Sequence, residues 1–136
     1  MAPTRLSWPL LLASASSGFV FAVLSIAGLL PDVASTQRVA LALLGTIGVA
    51  VGLKAPDRPL LHGLAGGFLA GLVAVELQAL FLTTYFANNP EFADIEMPFG
   101  WPPRVVTAVL GPLNAVLAAV VSGLVAWATS RVRSVF

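Results

Sequence analysis

Long apolar stretches separated by short polar, proline-bearing breaks dominate this chain. The first runs from about Ser7 to Leu30 and stops at Pro31-Asp32; the second runs from about Val33 to Leu53. The third extends from about Leu60 to Phe86, and the fourth from about Val105 to Trp127. A helix needs about 20 predominantly apolar residues, within a range of about 17 to 25, to cross a bilayer. The runs are continuous and lack strict alternation, which predicts helices and argues against barrel strands. The expected fold is an all-α membrane protein, a four-transmembrane-helix bundle forming a single membrane domain over residues 1–136.

The breaks refine this picture. Lys54-Ala55-Pro56-Asp57-Arg58-Pro59 separates the second and third runs. The uncharged part of the second run, Val39 to Leu53, rises about 22 Å at 1.5 Å per residue. That is short of a hydrocarbon core about 30 Å thick, so Arg38 is expected to snorkel to the headgroups. The longest connection, residues 87–104, carries Glu91, Asp94 and Glu96, no lysine, and four prolines at 90, 98, 102 and 103. Within it Asn89-Pro90-Glu91 reads as a helix start, with Asn as cap, Pro in the first turn and an acid beside the positive end of the dipole. A short interfacial helix followed by a proline-stiffened return is predicted there.

Charge sets an orientation. Arg5, Lys54, Arg58, Arg131 and Arg133 fall on one side of the predicted bundle, Arg38 and Arg104 on the other. The excess of basic residues marks the cytoplasmic side, so both termini are expected in the cytoplasm and the 87–104 loop outside. Trp8 and Trp127 then anchor the inner interface, and Tyr85 and Trp101 the outer one. The arrangement suits a cell (inner) membrane. Arg5 followed by Leu10-Leu11-Leu12 and Ala13-Ser14-Ala15 has the outline of a signal peptide. The apolar run continues past it to Leu30, so an uncleaved spanning helix is expected.

Composition agrees with the pattern. Of 136 residues, 58% are hydrophobic and 10% charged, against roughly 25% charged in a soluble domain. A net charge of +1 with scattered basic residues gives no nucleic-acid footprint. The chain contains no cysteine and a single histidine, His62, leaving no basis for a disulfide, a thiolate metal site or a His-rich one. There is no Walker loop, metalloprotease histidine pair, nucleophile elbow or dinucleotide fingerprint. Neither an enzyme nor a cofactor is expected.

The polar residues inside the runs are the candidates for function. Glu76 lies about ten residues from Phe86, and a comparable Asp at the centre of a span costs about 2.5–3.5 kcal/mol on insertion scales. Asn114 lies about ten residues from Arg104, and Thr46 about eight from Arg38. These depths predict a polar layer of Glu76, Asn114 and Thr46, either handling a proton or cation or serving as interhelical hydrogen bonding. Gly63, Gly67 and Gly71, spaced by four, drift about 40° per step and form one stripe with Gln78. Such a stripe admits close helix packing, within the bundle or between subunits. His62 is expected at the interface. Gly111-Pro112 is expected to kink the fourth helix. The spacing Arg38-Val39 to Leu44-Gly45 is repeated in Arg104-Val105 to Leu110-Gly111. This is either a faint parallel repeat or chance similarity between apolar segments.

Two functions follow as expectations. The first is a structural or accessory protein, held in the lipid bilayer and packing as a homo-oligomer or within a larger membrane complex. The second is a small oligomeric proton- or cation-coupled transporter or channel using Glu76.

Overall fold

The computed structural model describes residues 6–55 and 57–135. Four long helices cross the molecule: α1 (Trp8–Ile26), α2 (Val33–Lys54), α3 (Pro59–Leu80) and α6 (Pro103–Arg133). Two short helices, α4 (Leu82–Asn88) and α5 (Pro90–Ala93), and a 3-10 turn at Pro98–Gly100 link α3 to α6. All four long helices are long and apolar enough to cross a membrane. The protein is therefore a small polytopic membrane protein built as a helical bundle.

Local chemistry sets the ends of these helices. α1 has a proline in its first turn, where the missing N–H costs nothing. It stops four residues before the expected Leu30. Gly28 takes φ +70°, the Leu29 N–H reaches the Leu24 carbonyl and the Gly28 N–H the Ser25 carbonyl. That pair of bonds is a Schellman closure, which favours glycine at the left-handed position. α2 begins at Asp32, whose carboxylate accepts from the Ser35 N–H at 2.6 Å and from the Ser35 hydroxyl at 3.1 Å. The backbone hydrogen bond from Ser35, above all, holds the Asp32 carboxyl below its ordinary range. α6 outruns the expected 105–127 at both ends. Its last turn carries Arg131 and Arg133, favourable to the helix dipole. Arg133 donates to the Leu53 carbonyl, and Arg131 lies over the Trp127 ring at 5.5 Å.

The third span is not continuous to Phe86. Helical geometry breaks at Phe81 (φ −102°, ψ 27°), although neither proline nor glycine stands there. The cause lies in α1. Its end carbonyls face the incoming chain, and Asn88 and Asn89 donate to them: Asn88 Nδ2 to Ile26 O at 2.8 Å, Asn89 Nδ2 to Ser25 O at 3.0 Å. The chain turns inward over the end of α1 to make these bonds. Asn89, only 3% exposed, thus caps another helix and makes no side-chain cap for α5.

Packing is uneven. α3 and α6 run antiparallel in the most extensive contact, α1 lies parallel to α3, and α2 lies parallel to α6. α1 and α2, though joined by a short turn, touch little. The core is made largely of small residues: Ala22, Ala70, Ala74, Ala115, Ala118, Ala119 and Ala126 are buried, with Leu11, Leu30, Ile47, Val51 and Leu82 the larger members.

Candidate functional site

Small residues determine where these helices close and where they part. A Cβ added to Gly67 would lie 2.6 Å from the Ala118 carbonyl, and one on Gly71 2.8 Å from the Ala115 Cα. One on Gly63 would meet the Ala126 Cβ at 2.7 Å. The stripe Gly63, Gly67 and Gly71 is therefore spent inside the molecule, against α6. Gln78 does not join it; its Nε2 donates 2.9 Å to the Ser25 hydroxyl on α1.

Near the end of the bundle where α1 and α3 begin, α2 also closes on α6. A Cβ on Gly48 would meet Val125 at 2.6 Å, and one on Gly52 the Ala126 carbonyl at the same distance. One turn towards the opposite end, a Cβ on Gly45 would meet nothing within 4 Å. From there α2 stands away from α6, and a cavity of about 470 Å³ opens between α1, α2, α3 and α6. Its walls include Phe21, Leu44, Ile47, Ala70 and Ala74, and its polar side chains are Ser17, Gln37 and Asn114. Leu41 on α2 and Leu117 on α6 line it while remaining 57% and 65% exposed, so its mouth lies between those helices.

The expected polar layer does not form. Ile47 packs beside Gly66, with a Cβ there 3.7 Å from the Ile47 Cγ2, so Thr46 stands near the level of Gly66. Glu76 is ten residues further along α3, about 15 Å at 1.5 Å per residue. Thr46 is exposed and returns its hydroxyl to the Ala42 carbonyl at 2.8 Å. Asn114 is within about two turns of the level of Glu76, because its neighbour Ala115 meets Gly71. Asn114 lines the cavity and Glu76 does not. Arg38 and Arg104 misled the depth comparison. α2 opens at Val33, five residues ahead of Arg38, whereas α6 opens at Pro103, directly before Arg104.

Glu76 is half-buried and makes no hydrogen bond or ion pair among the described residues. The break at Phe81 leaves it four residues, or about 6 Å, from the end of α3. It is consequently nearer the end of the span than a continuous third helix would place it.

His62 stands in the first turn of α3, at the end of the bundle, and is fully buried there. Its Nε2 accepts from the Ser7 N–H at 3.0 Å, and its Nδ1 lies 3.3 Å from the Arg58 carbonyl. Accepting at Nε2 requires the tautomer protonated at Nδ1, so the ring joins the start of α1 to the start of α3. The aromatic residues occupy the two ends of the bundle. Trp8 and Trp127 are exposed at the end where α1 begins and α6 finishes. Trp101 packs tilted against Phe99 with ring centroids 5.4 Å apart, and Tyr85 packs with Phe86 and Phe92, at the other end.

Sequence reasoning found Asn114 but missed Gln37 and Ser17 as its companions. Gln37 had a signal, an amide next to Arg38 at the start of an apolar run. Ser17 had none, because Ser14, Ser16 and Ser17 all lie in the same helix. Comparison with protein-family models, with curated proteins and with solved structures finds no match to this chain.

Proposed function

We propose that the protein is a structural or accessory component of a cell membrane that associates with copies of itself or with a larger membrane complex. The observation that carries this reading is Glu76, a carboxylate in a candidate span with no hydrogen-bond or ion-pair partner among the described residues. Ionisable side chains in such positions face protein or water, because lipid cannot solvate them. At 100° per residue, Glu76 is turned about 140° or more from the glycine stripe that α6 covers. It is turned about 80–120° from Gly66 and Ala70, which α1 covers. That leaves the Glu76 side of α3 for a neighbouring subunit. The basic residues favour cytoplasmic termini.

The chain has no cysteine, so single cysteines report on each face directly. A cysteine replacing Leu80, beside Glu76 and 69% exposed, is expected to form disulfide-linked dimers in native membranes. One replacing Leu113, 63% exposed on α6, is not. Glu76→Leu is expected to weaken the association about tenfold. A protein that stays monomeric at every bilayer concentration, and co-purifies with no membrane partner, removes the proposal. The competing reading is a proton- or cation-coupled carrier using Glu76. It predicts saturable flux in reconstituted vesicles that Glu76→Gln abolishes. Orientation is read by outside labelling of Asp94→Cys and protection of Asp57→Cys.

A further inference from the structure

The cavity beside α2 is empty of side chains for a definite reason. Gly48 and Gly52 let α2 close on α6, and in the next turns residues 37–47 of α2 and 114–121 of α6 border open space. All its walls belong to candidate spans, so the medium at its mouth is lipid. Water is a poor occupant. A volume of about 470 Å³ corresponds to roughly 15 waters at about 30 Å³ each, and each needs two to four polar partners. Only Ser17, Gln37 and Asn114 supply any, and the Ser17 hydroxyl already reaches the Ala13 carbonyl. An unfilled space of this size forfeits dispersion contacts along every wall. The volume falls within the range of about 300–1,000 Å³ usual for small-molecule pockets.

The polar side chains are not scattered around the walls. Gly48 lies between Ser122 and Val125, a parallel register of α2 on α6 that, extended along both helices, brings Gln37 level with residues 111–114, the stretch that ends at Asn114. Both side-chain amides border the cavity at its open side, and neither makes a hydrogen bond among the described residues. Each can donate and accept. No Lys, Arg, Asp or Glu lines the cavity. A saturated chain alone would leave two amides facing hydrocarbon without partners. A charged head would enter a wall with no opposite charge.

We propose that this cavity is a binding site for an uncharged, single-headed lipophile, a long aliphatic alcohol, which enters sideways from the bilayer between Leu41 and Leu117. Its hydroxyl donates to one amide oxygen of Gln37 or Asn114 and accepts from the other amide. Its chain lies against Phe21, Leu44 and Ile47. This site is independent of the Glu76 face.

The test uses the full chain in phosphatidylcholine nanodiscs and a hexadecanol analogue bearing a diazirine in the chain. Photolabelling is expected to saturate, to map to α2 and α6, and to be competed at least tenfold better by hexadecanol than by hexadecane or palmitate. Gln37→Leu and Asn114→Leu are each expected to erase the preference for alcohol over alkane while labelling of the site persists. Ala40→Phe, which fills the cavity, is expected to abolish labelling; Leu117→Trp at the mouth serves if that variant does not fold. Labelling that never saturates, equal competition by hexadecane, tighter binding of palmitate, or an alcohol preference that survives both leucine variants would each overturn the proposal.

Discussion

Gly45 and Gly111 hold matching places, each seven residues after the Arg of an Arg-Val pair, and they have opposite surroundings. A side chain on Gly111 would run into Val75 of α3, whereas one on Gly45 would meet open space. The same contrast separates the two hairpins. α3 and α6 share the largest interface of the bundle, while α1 and α2 scarcely meet. In lipid, helices gain little from hiding apolar surface and associate through close packing and hydrogen bonds. A glycine therefore permits contact without compelling it. Contact follows only where a facing helix fills the space, with small residues as α6 does at Ala115, Ala118, Ala119, Ser122 and Ala126, or with a larger side chain as Val75 does against Gly111. The matching spacings do not produce matching packing.

The largest test of that contrast is a matched pair of substitutions. Gly67→Leu forces a side chain into the Ala118 carbonyl and is expected to cost about 3 kcal/mol or prevent folding. Gly45→Leu is expected to cost little. Reversible unfolding in mixed micelles measures both, and equal losses would dissolve the distinction between closed seam and open flank. Next in size is the far end of the α1–α3 contact. Asn89→Ala removes the donor to the Ser25 and Tyr85 carbonyls and is expected to cost about 1–2 kcal/mol. It should also straighten the break at Phe81, visible as altered spin-label distances between α1 and α4. Smaller and opposite in sign, Gly45→Ala is expected to stabilise α2 by about 0.5–1 kcal/mol, since the added methyl meets nothing and only the backbone entropy of glycine is removed.

The smallest effect concerns pH at the start of α2. The Asp32 carboxyl titrates below its unfolded value of about 3.9. Its contribution is therefore complete above about pH 4 and is lost as pH falls through the depressed folded value. Amide-exchange protection at Ser35 and Thr36 is expected to fall over that window. Protection at Gly71, in the α3–α6 seam, is expected to stay level. Parallel losses at both places would show that α2 does not open on its own.

The four helices were legible because continuous apolar runs of this length admit few other structures, and backbone groups in lipid must be satisfied within the segment. The glycine stripe was legible too, since spacing by four fixes a shared face whatever the partner. Its partner was not. Whether Gly63, Gly67 and Gly71 met α6 or another subunit depended on α6 presenting its alanines at the right register. Depth went wrong for a related reason. Charged residues marked the ends of spans on paper, but α2 opens before Arg38 and α3 breaks at Phe81, because Asn88 and Asn89 answer carbonyls on α1. The cavity is the clearest case. Ser17, Gln37 and Asn114 sit on three helices, and nothing local says that they border one space. The sequence by itself determined that helices form, which residues end several of them and which faces carry glycine, because these depend on neighbours along the chain. Tertiary structure alone decided which faces meet, where α2 parts from α6 and which polar groups are left without partners. Those outcomes depend on shape matching between segments far apart in the chain.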